Sequence, residues 1–398
     1  MAARYGAMQR VLLLLCTLGA VQLPATAQSE ISATSASAGD WPQWRGPSRD
    51  AVSLETNIAT SWSSSGPDEL WRVPLGDGFS GISVADGRLY TLYGHAEGET
   101  VLCAEAATGK EIWRHFYPGR FEEQRGNGPR STPTIAAGRV YAMGATGLLH
   151  CLDASTGRVL WKRDLAADYG GVVGEFGFAC SPLIESDLVL VDIQGPKDNC
   201  ILAFDHRDGR LAWGATDQAA CYSSPIAITA GGRRQAIFFN TKGLVGLDPS
   251  KGEVLWQFPW EHGFNIATPI HADGRLFIST GYGRGCALVE LASTPGTGTT
   301  VRSLWDNKAL KSHHANVVLK DGYLYSFDGN GPAFLTCVEM ATGKEVWQTR
   351  DVEKGDLILA AGHLIIITQN GQLVSVECLW RPGGTADVYR GYRRCAAG

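Results

Sequence analysis

One short motif recurs through this sequence and constrains its fold more than any other feature. Five copies share a small residue, an acid two positions on, a glycine six on and a tryptophan ten on: Cys103–Trp113, Cys151–Trp161, Ala203–Trp213, Gly246–Trp256 and Cys337–Trp347. Each copy predicts a β-hairpin, because two apolar runs flank a tight glycine turn. Recurrence at a nearly constant interval indicates a repeat architecture.

The motif tryptophans set the length of the repeat. With two further members the series is Trp71, Trp113, Trp161, Trp213, Trp256, Trp305 and Trp347, separated by 42, 48, 52, 43, 49 and 42 residues. These intervals match a four-stranded blade, and each holds apolar runs and glycine turns for four strands. The sequence therefore predicts an all-β fold, a β-propeller whose closed ring buries the blade faces.

The motif resembles the tryptophan-docking repeat of the PQQ-like (pyrroloquinoline quinone) β-propellers, which include the quinoprotein alcohol dehydrogenases and the BamB-like exported propellers. The resemblance covers residues 40–377, and Trp41–Pro47 is similar to the opening of exported PQQ-like repeat proteins. Seven blades are expected. Glu69–Pro74 would close the ring by pairing with the last strand. In the alternative interpretation the family is eight-bladed and this chain has lost its end.

The two ends of the chain differ from the repeats. Basic residues precede the apolar run Val11–Leu23, and an Ala-x-Ala site ends at Ala27, which predicts a signal peptide over residues 1–27 rather than a membrane anchor. The protein is therefore expected to be periplasmic or secreted, cleaved after Ala27. Residues 28–39 are predicted to be disordered. Trp41–Pro47 is predicted to plug or wrap the propeller of residues 40–377, and residues 378–398 form an atypical tail.

Positions at which the copies differ are the candidates for function. If the blades superpose, one position near each innermost strand faces the same mouth of the ring. The residues there are Phe79, Arg130, Ala179, Tyr222, Ile266, His314 and Lys354, with Arg125, Asn127, Asn265 and His313 nearby. Cationic and hydrogen-bonding side chains that converge on a concave site predict a ligand pocket. A merely solvated channel rim is the alternative. The candidate ligand- or partner-binding residues are Arg130, Tyr222, Asn265, His313, His314 and Lys354.

Neither a metal site nor a catalytic site is predicted. His313 and His314 are adjacent, and neighbours on a strand point to opposite faces, so one metal ion is not expected to bind both. The motif acids are explained by the turn, where a carboxylate accepts backbone N–H bonds. Cys103, Cys151 and Cys337 replace the small residues of the other copies, which favours packing over disulfide bonding.

Two functions remain as alternatives. The first is an exported, non-catalytic scaffold without a cofactor, with a protein or small-molecule partner at the ring mouth and inter-blade loops. The second is a PQQ-dependent alcohol or sugar dehydrogenase, for which the resemblance implies calcium, a catalytic aspartate and usually two adjacent cysteines. The sequence has no Cys-Cys pair, which favours the scaffold. A net charge of −5 without a basic stripe argues against nucleic acid, and a monomer is expected.

Overall fold

The structure, a computed structural model, describes residues 39–63, 66–294, 298–378 and 393–394, all within one compact unit. Their regular secondary structure is β-strand, in seven antiparallel sheets that are blades one to seven in chain order. Blades one to four are β1 Ser83–Ala85, β2 Arg88–His95, β3 Gly98–Glu105, β4 Glu111–Pro118; β5 Thr134–Ala136, β6 Arg139–Met143, β7 Leu148–Asp153, β8 Val159–Asp164; β9 Leu183–Glu185, β10 Leu188–Asp192, β11 Ile201–Asp205, β12 Leu211–Ala215; β13 Ile226–Ala230, β14 Arg233–Asn240, β15 Gly243–Leu247 and β16 Val254–Pro259.

Blades five to seven are β17 Ile270–Ala272, β18 Arg275–Thr280, β19 Gly285–Thr294, β20 Gly298–Asn307; β21 Val318–Lys320, β22 Tyr323–Asp328, β23 Phe334–Glu339, β24 Glu345–Thr349; β25 Gly355–Ala360, β26 His363–Thr368, β27 Gln372–Glu377 and β28 Arg393–Arg394. The first strands of neighbouring blades contact each other, as β1 does with β5 and β5 with β9, so they line the axis. The prediction of an all-β, seven-bladed propeller is confirmed.

Several predicted segments lie outside the described residues. These are the signal peptide (1–27), all but the last residue of the lead (28–39), and most of the tail (378–398). In the part of the chain that the structure describes, no helix is long and apolar enough to cross a membrane.

Blades one, two, three and five each dock on the next blade through a tryptophan that lies over a turn glycine. The Trp113 Nε1–H donates to the Ala154 carbonyl at 3.1 Å, and a Cβ atom on Gly157 would lie 2.6 Å from the indole. The same contact joins Trp71 to Gly109, Trp161 to Gly209, Trp213 to Gly252 and Trp305 to Gly343. These glycines have φ between 68° and 73°, so both the backbone conformation and the lack of space require glycine.

The acid of the motif shapes the turn under the indole. Asp153 Oδ1 accepts the backbone N–H groups of Ser155 and Thr156 at 3.0 and 2.9 Å. Hydrogen bonds from the hydroxyls of the same two residues help to lower the pKa of Asp153 to about 2. The predicted turn role of this acid is therefore confirmed. Cys103, Cys151 and Cys337 are fully buried with free thiols, and the described residues form no disulfide.

The docking series breaks at blades five and seven. Blade five has a long hairpin, β19 and β20, in place of the short turn, and Trp256 donates instead to Gln235 of its own blade at 2.7 Å. The prediction that Glu69–Pro74 pairs with the last strand is wrong, because this segment forms no strand. Its closing proline lacks an N–H donor. The short β28 pairs with β27 instead, although Trp71 still docks on blade one.

An axial segment, residues 40–52, joins all seven blades, as the plug predicted for Trp41–Pro47 would. It contacts blades one and two through Trp41 and Pro42, blade five through Trp44, and blade six through Arg45. Arg49 reaches blades three and four, and Val52 forms a parallel bridge with Leu359 of blade seven.

Arg49 provides the densest of these contacts. Its guanidinium is 2% exposed and donates to the carbonyls of Ser181, Pro182 and Pro225, the last at 2.8 Å. Among the described residues it forms no ion pair, so carbonyl dipoles stabilise its charge. Burial lowers the pKa of Arg49 to about 10, which still leaves it protonated at neutral pH.

We predict that Arg49→Met lowers the free energy of unfolding by about 2–4 kcal/mol, because buried carbonyls of blades three and four lose a charged donor. Urea denaturation measures the change. Arg210→Met is the matched control, since Arg210 is exposed and pairs only with Asp208. Equal unfolding midpoints for the Arg49 variant and the wild type would contradict the role of the axial segment.

Asp192, at the end of β10, gives a second prediction. Its carboxyl is buried and forms no hydrogen bond with a described residue, and burial raises its pKa well above the ordinary range, although the Cys221 backbone amide acts in the opposite direction. The folded carboxyl therefore holds its proton more tightly than the unfolded one. This contribution to stability is complete below the unfolded pKa of about 4 and is lost as pH rises towards the raised value.

We expect Asp192→Asn to raise the free energy of unfolding at neutral pH by about 1–3 kcal/mol. The buried carboxyl must either carry a charge or take up a proton at that pH, whereas the amide is neutral at any pH. The gain should disappear at pH values below the unfolded pKa. Thermal denaturation across that range tests this, and a variant that is less stable at neutral pH would show that the carboxylate is needed as an anion.

Candidate functional site

A cavity of about 560 Å³ lies at one mouth of the ring, where the innermost strands begin. In blades one to six the lining residue stands four positions before the innermost strand, and in blade seven it directly precedes β25. These residues are Phe79, Arg130, Ala179, Tyr222, Ile266, His314 and Lys354. Trp44 of the axial segment also lines the cavity and donates to Thr268 at 3.0 Å.

The structure brings five of the six candidate binding residues to this cavity: Arg130, Tyr222, His313, His314 and Lys354. Arg125 joins them. Asn265 lies elsewhere, fully buried, where it donates to the Asn240 carbonyl and accepts from the Thr280 hydroxyl, each at 2.7 Å. Asn265 therefore ties blade four to blade five and does not face the cavity.

One wall of the cavity is an aromatic arc of five rings: Phe176, Tyr222, Phe264, Tyr282 and His313. Successive ring centroids lie 5.4, 6.3, 5.0 and 4.8 Å apart. Such spacings are typical of stabilising aromatic contacts. The repeat does not predict Phe176, Phe264 and Tyr282 as lining residues, because they lie in loops outside the repeated positions.

Two cations, Arg125 and Lys354, and two imidazoles, His313 and His314, form what we call the cationic corner. The Arg125 guanidinium lies 5.2 Å from the centroid of the Phe176 ring and is close enough to both histidines to affect their pKa values. The Lys354 ammonium donates to the carbonyls of Gly329 and Asn330, both at 3.3 Å. Within the described residues neither Lys354 nor Arg125 has a carboxylate within ion-pair distance. Burial lowers the pKa of Lys354, so an anionic ligand would stabilise its charged form.

His313 is the unusual member of the corner. It is 7% exposed, and neither ring nitrogen has a hydrogen-bond partner among the described residues. Burial, followed by the neighbouring His314, Lys354 and Arg125, lowers the pKa of His313 to about 3. The imidazole is therefore neutral at physiological pH and can donate through one nitrogen and accept through the other.

The expectation that His313 and His314 point to opposite faces is wrong. Both lie in a bend before β21 rather than on a strand, their ring centroids are 3.8 Å apart, and both line the cavity. The alternation of side chains holds only for extended strands. Even so, the described residues contain no cluster of three or more His, Cys, Asp or Glu side chains with metal-binding geometry.

Arg130 contributes to the wall itself. Its guanidinium donates to the Gly126 and Gly128 carbonyls and lies over the rings of Phe79 and Phe121, with centroids at 5.3 and 4.6 Å. Burial lowers its pKa, and Glu123, 3.9 Å away, acts in the opposite direction. Two of its five N–H donors are thus used within the protein.

The donor set does not fit calcium-bound PQQ. The cavity wall offers two carboxylates, and both are engaged by the protein: Glu123 accepts the Arg125 backbone N–H, and Asp356 accepts the N–H groups of Asn316 and Leu357. Ca²⁺ takes six to eight oxygen ligands. The remaining side chains at the corner are cations, which would repel Ca²⁺, or imidazoles, which do not supply the oxygen ligands that it takes.

Comparison with known proteins identifies the family of this chain. A family profile described as outer membrane protein assembly factor BamB matches residues 64–146 and 97–349. The chain belongs to this family. It is 22% identical over 251 residues to the outer membrane protein assembly factor BamB of Yersinia pestis. That match covers 60% of this chain and 61% of the relative, less than two thirds of its length.

The family match confirms the PQQ-like resemblance, and solved structures share the propeller fold. BamB from Moraxella catarrhalis superposes with a TM-score of 0.53 at 16% identity, covering 75% of this chain and 82% of that one. A quinohemoprotein alcohol dehydrogenase from Pseudomonas putida reaches 0.58 at 12% identity, covering 85% and 70%. At these identities the likeness shows the fold alone.

We predict that Lys354→Gln raises the pKa of His313, because one of the charges that disfavour the imidazolium is removed. Nuclear magnetic resonance titration of the histidine rings measures this. Lys242→Gln is the control, since Lys242 lies outside the cavity lining and pairs with Asp217, with 3.4 Å between the ammonium nitrogen and the carboxylate oxygen. An unchanged His313 titration in the Lys354 variant would contradict the described corner.

Proposed function

We propose that this protein is an exported, non-catalytic propeller that binds a partner in the mouth cavity and acts as an assembly scaffold. The observation that carries the proposal is a pair of cavity-lining cations, Lys354 and Arg125, that have no carboxylate within ion-pair distance among the described residues. An anionic group of a bound partner would stabilise both charges. Membership of a family described as an outer membrane protein assembly factor supports the same role.

The hydroxyl groups at the cavity support a binding role over catalysis. Ser181 accepts the Thr132 N–H and Ser224 accepts the Ser181 N–H, both at 3.0 Å. These serines join successive blades, whereas a nucleophile must be held by a base. Within the part of the chain that the structure describes, no carboxylate hydrogen-bonds to His313 to orient it. The proposal therefore includes no cofactor and no covalent step.

Export is part of the proposal. It rests on the basic start, apolar run and Ala-x-Ala site of residues 1–27, which fit a cleaved signal peptide. The first residue of the mature protein would then be Gln28, in the periplasm or outside the cell.

The binding role predicts a site-specific cross-link. A photoreactive p-benzoylphenylalanine in place of Tyr282 should give a discrete adduct in the producing cells, because Tyr282 is exposed at the cavity mouth. Gel mobility and mass spectrometry identify the adduct. Phe116, exposed on β4 away from the cavity, is the matched control position.

Two results would contradict the proposed function. Adducts of equal yield at Phe116 and Tyr282, or none at Tyr282, would move the binding surface elsewhere. Reduction of an electron-accepting dye by the purified protein supplied with PQQ, calcium and an alcohol would establish the dehydrogenase alternative.

A further inference from the structure

The mouth cavity has two adjoining surfaces, the aromatic arc and the cationic corner, and each would bind a different chemical group. The aromatic arc offers ring faces and edges, notably Tyr222 and Phe264, whose planes are inclined by only 13°. The cationic corner begins where Tyr282 meets His313 edge to face at 4.8 Å. A ligand that fills both must carry an aromatic or apolar group next to an anion, because the two surfaces are contiguous.

The corner favours an anion of modest charge. Lys354 keeps one ammonium hydrogen beyond its two carbonyl contacts, and Arg125 also lines the cavity with no carboxylate within ion-pair distance among the described residues. Asp356, close enough to His314 to affect its pKa, partly offsets the positive charge. A single carboxylate matches this set of donors.

The rim of the cavity indicates how large the ligand is. Phe79, Tyr282 and Ile367 line the cavity from blades one, five and seven and are 59%, 46% and 63% exposed. A small molecule held inside would leave these apolar side chains in water. A polypeptide that continues out of the cavity would cover them, and exposed apolar patches of this kind mark interaction sites.

We infer that the cavity binds a polypeptide segment in which an aromatic side chain stands next to a carboxylate. The ring lies in the aromatic arc, the carboxylate receives hydrogen bonds from Lys354 and Arg125, and the flanking backbone covers the rim. The carboxylate comes from an acidic side chain or from the end of the partner chain. This inference rests on the proposed function and specifies its ligand.

Fluorescence anisotropy with labelled synthetic peptides and the purified protein tests the inference. The first probe holds Glu-Phe between glycines and has an amidated end. The second holds Gln-Phe, and the third ends in Phe with a free carboxylate. We expect the Gln peptide to bind about tenfold more weakly than the first, because it loses one charge-assisted hydrogen bond. Comparison of the first and third peptides shows which carboxylate is preferred.

Matched protein variants locate the site. Lys354→Gln and Tyr282→Leu should each weaken binding of the first peptide by about tenfold. Lys242→Gln and Phe116→Leu, both outside the cavity, should leave it unchanged. Tyr282 is 46% exposed, and thermal denaturation of the Tyr282 variant checks that it remains folded.

Each remaining outcome counts against the inference. Equal binding of the Glu and Gln peptides would show that the cavity does not recognise a carboxylate. If 3-phenylpropionate displaced the labelled peptide at the same concentration as the unlabelled peptide does, the ligand would not need to be a polypeptide. If a partner cross-links at Tyr282 while none of the peptides binds, the ligand class is wrong and the proposed function stands. If neither occurs, both fall.

Discussion

The contact between an indole and a turn glycine is the interaction on which the ring depends. A Cβ atom on Gly109, Gly157, Gly209, Gly252 or Gly343 would approach the docked indole to 2.5–2.7 Å, which is closer than a real side chain can come. The same glycine supplies the positive φ of the turn. One residue therefore fixes both the shape of a hairpin and the distance to the preceding blade, and repetition of this pair sets the geometry of the propeller.

Much of this could be predicted from the sequence, because the repeat provides its own alignment. Counting from the motif places the innermost strands, and counting four residues back from them finds Phe79, Arg130, Tyr222 and His314 around one cavity. The long hairpin of blade five also follows from the sequence, because a Ser/Thr/Gly/Pro insert, Ser293–Thr300, separates the two arms of its motif. Such counting succeeds wherever a position has equivalents in other blades.

The rest depends on contacts that no repeat encodes. Arg45 and Arg49 lie before the first blade, and their partners are distant carbonyls that any residue could supply. Phe264 and Tyr282 complete the aromatic arc from loops, and the bend at His313 and His314 departs from the strand geometry assumed for them. These features decide the chemistry of the cavity. The fold is thus far more accessible to sequence reasoning than the ligand.

The axial segment also determines when the protein can finish folding. Arg45 hydrogen-bonds to a carbonyl 272 residues further along the chain, and the backbone of Ser53 donates to Leu359 in the last blade. Contacts between such distant residues form late, because a long loop must close first. The axial faces of the early blades therefore stay exposed to water until blade seven has folded. A chain that crosses a membrane in order of synthesis would be exposed to aggregation or proteolysis during that interval.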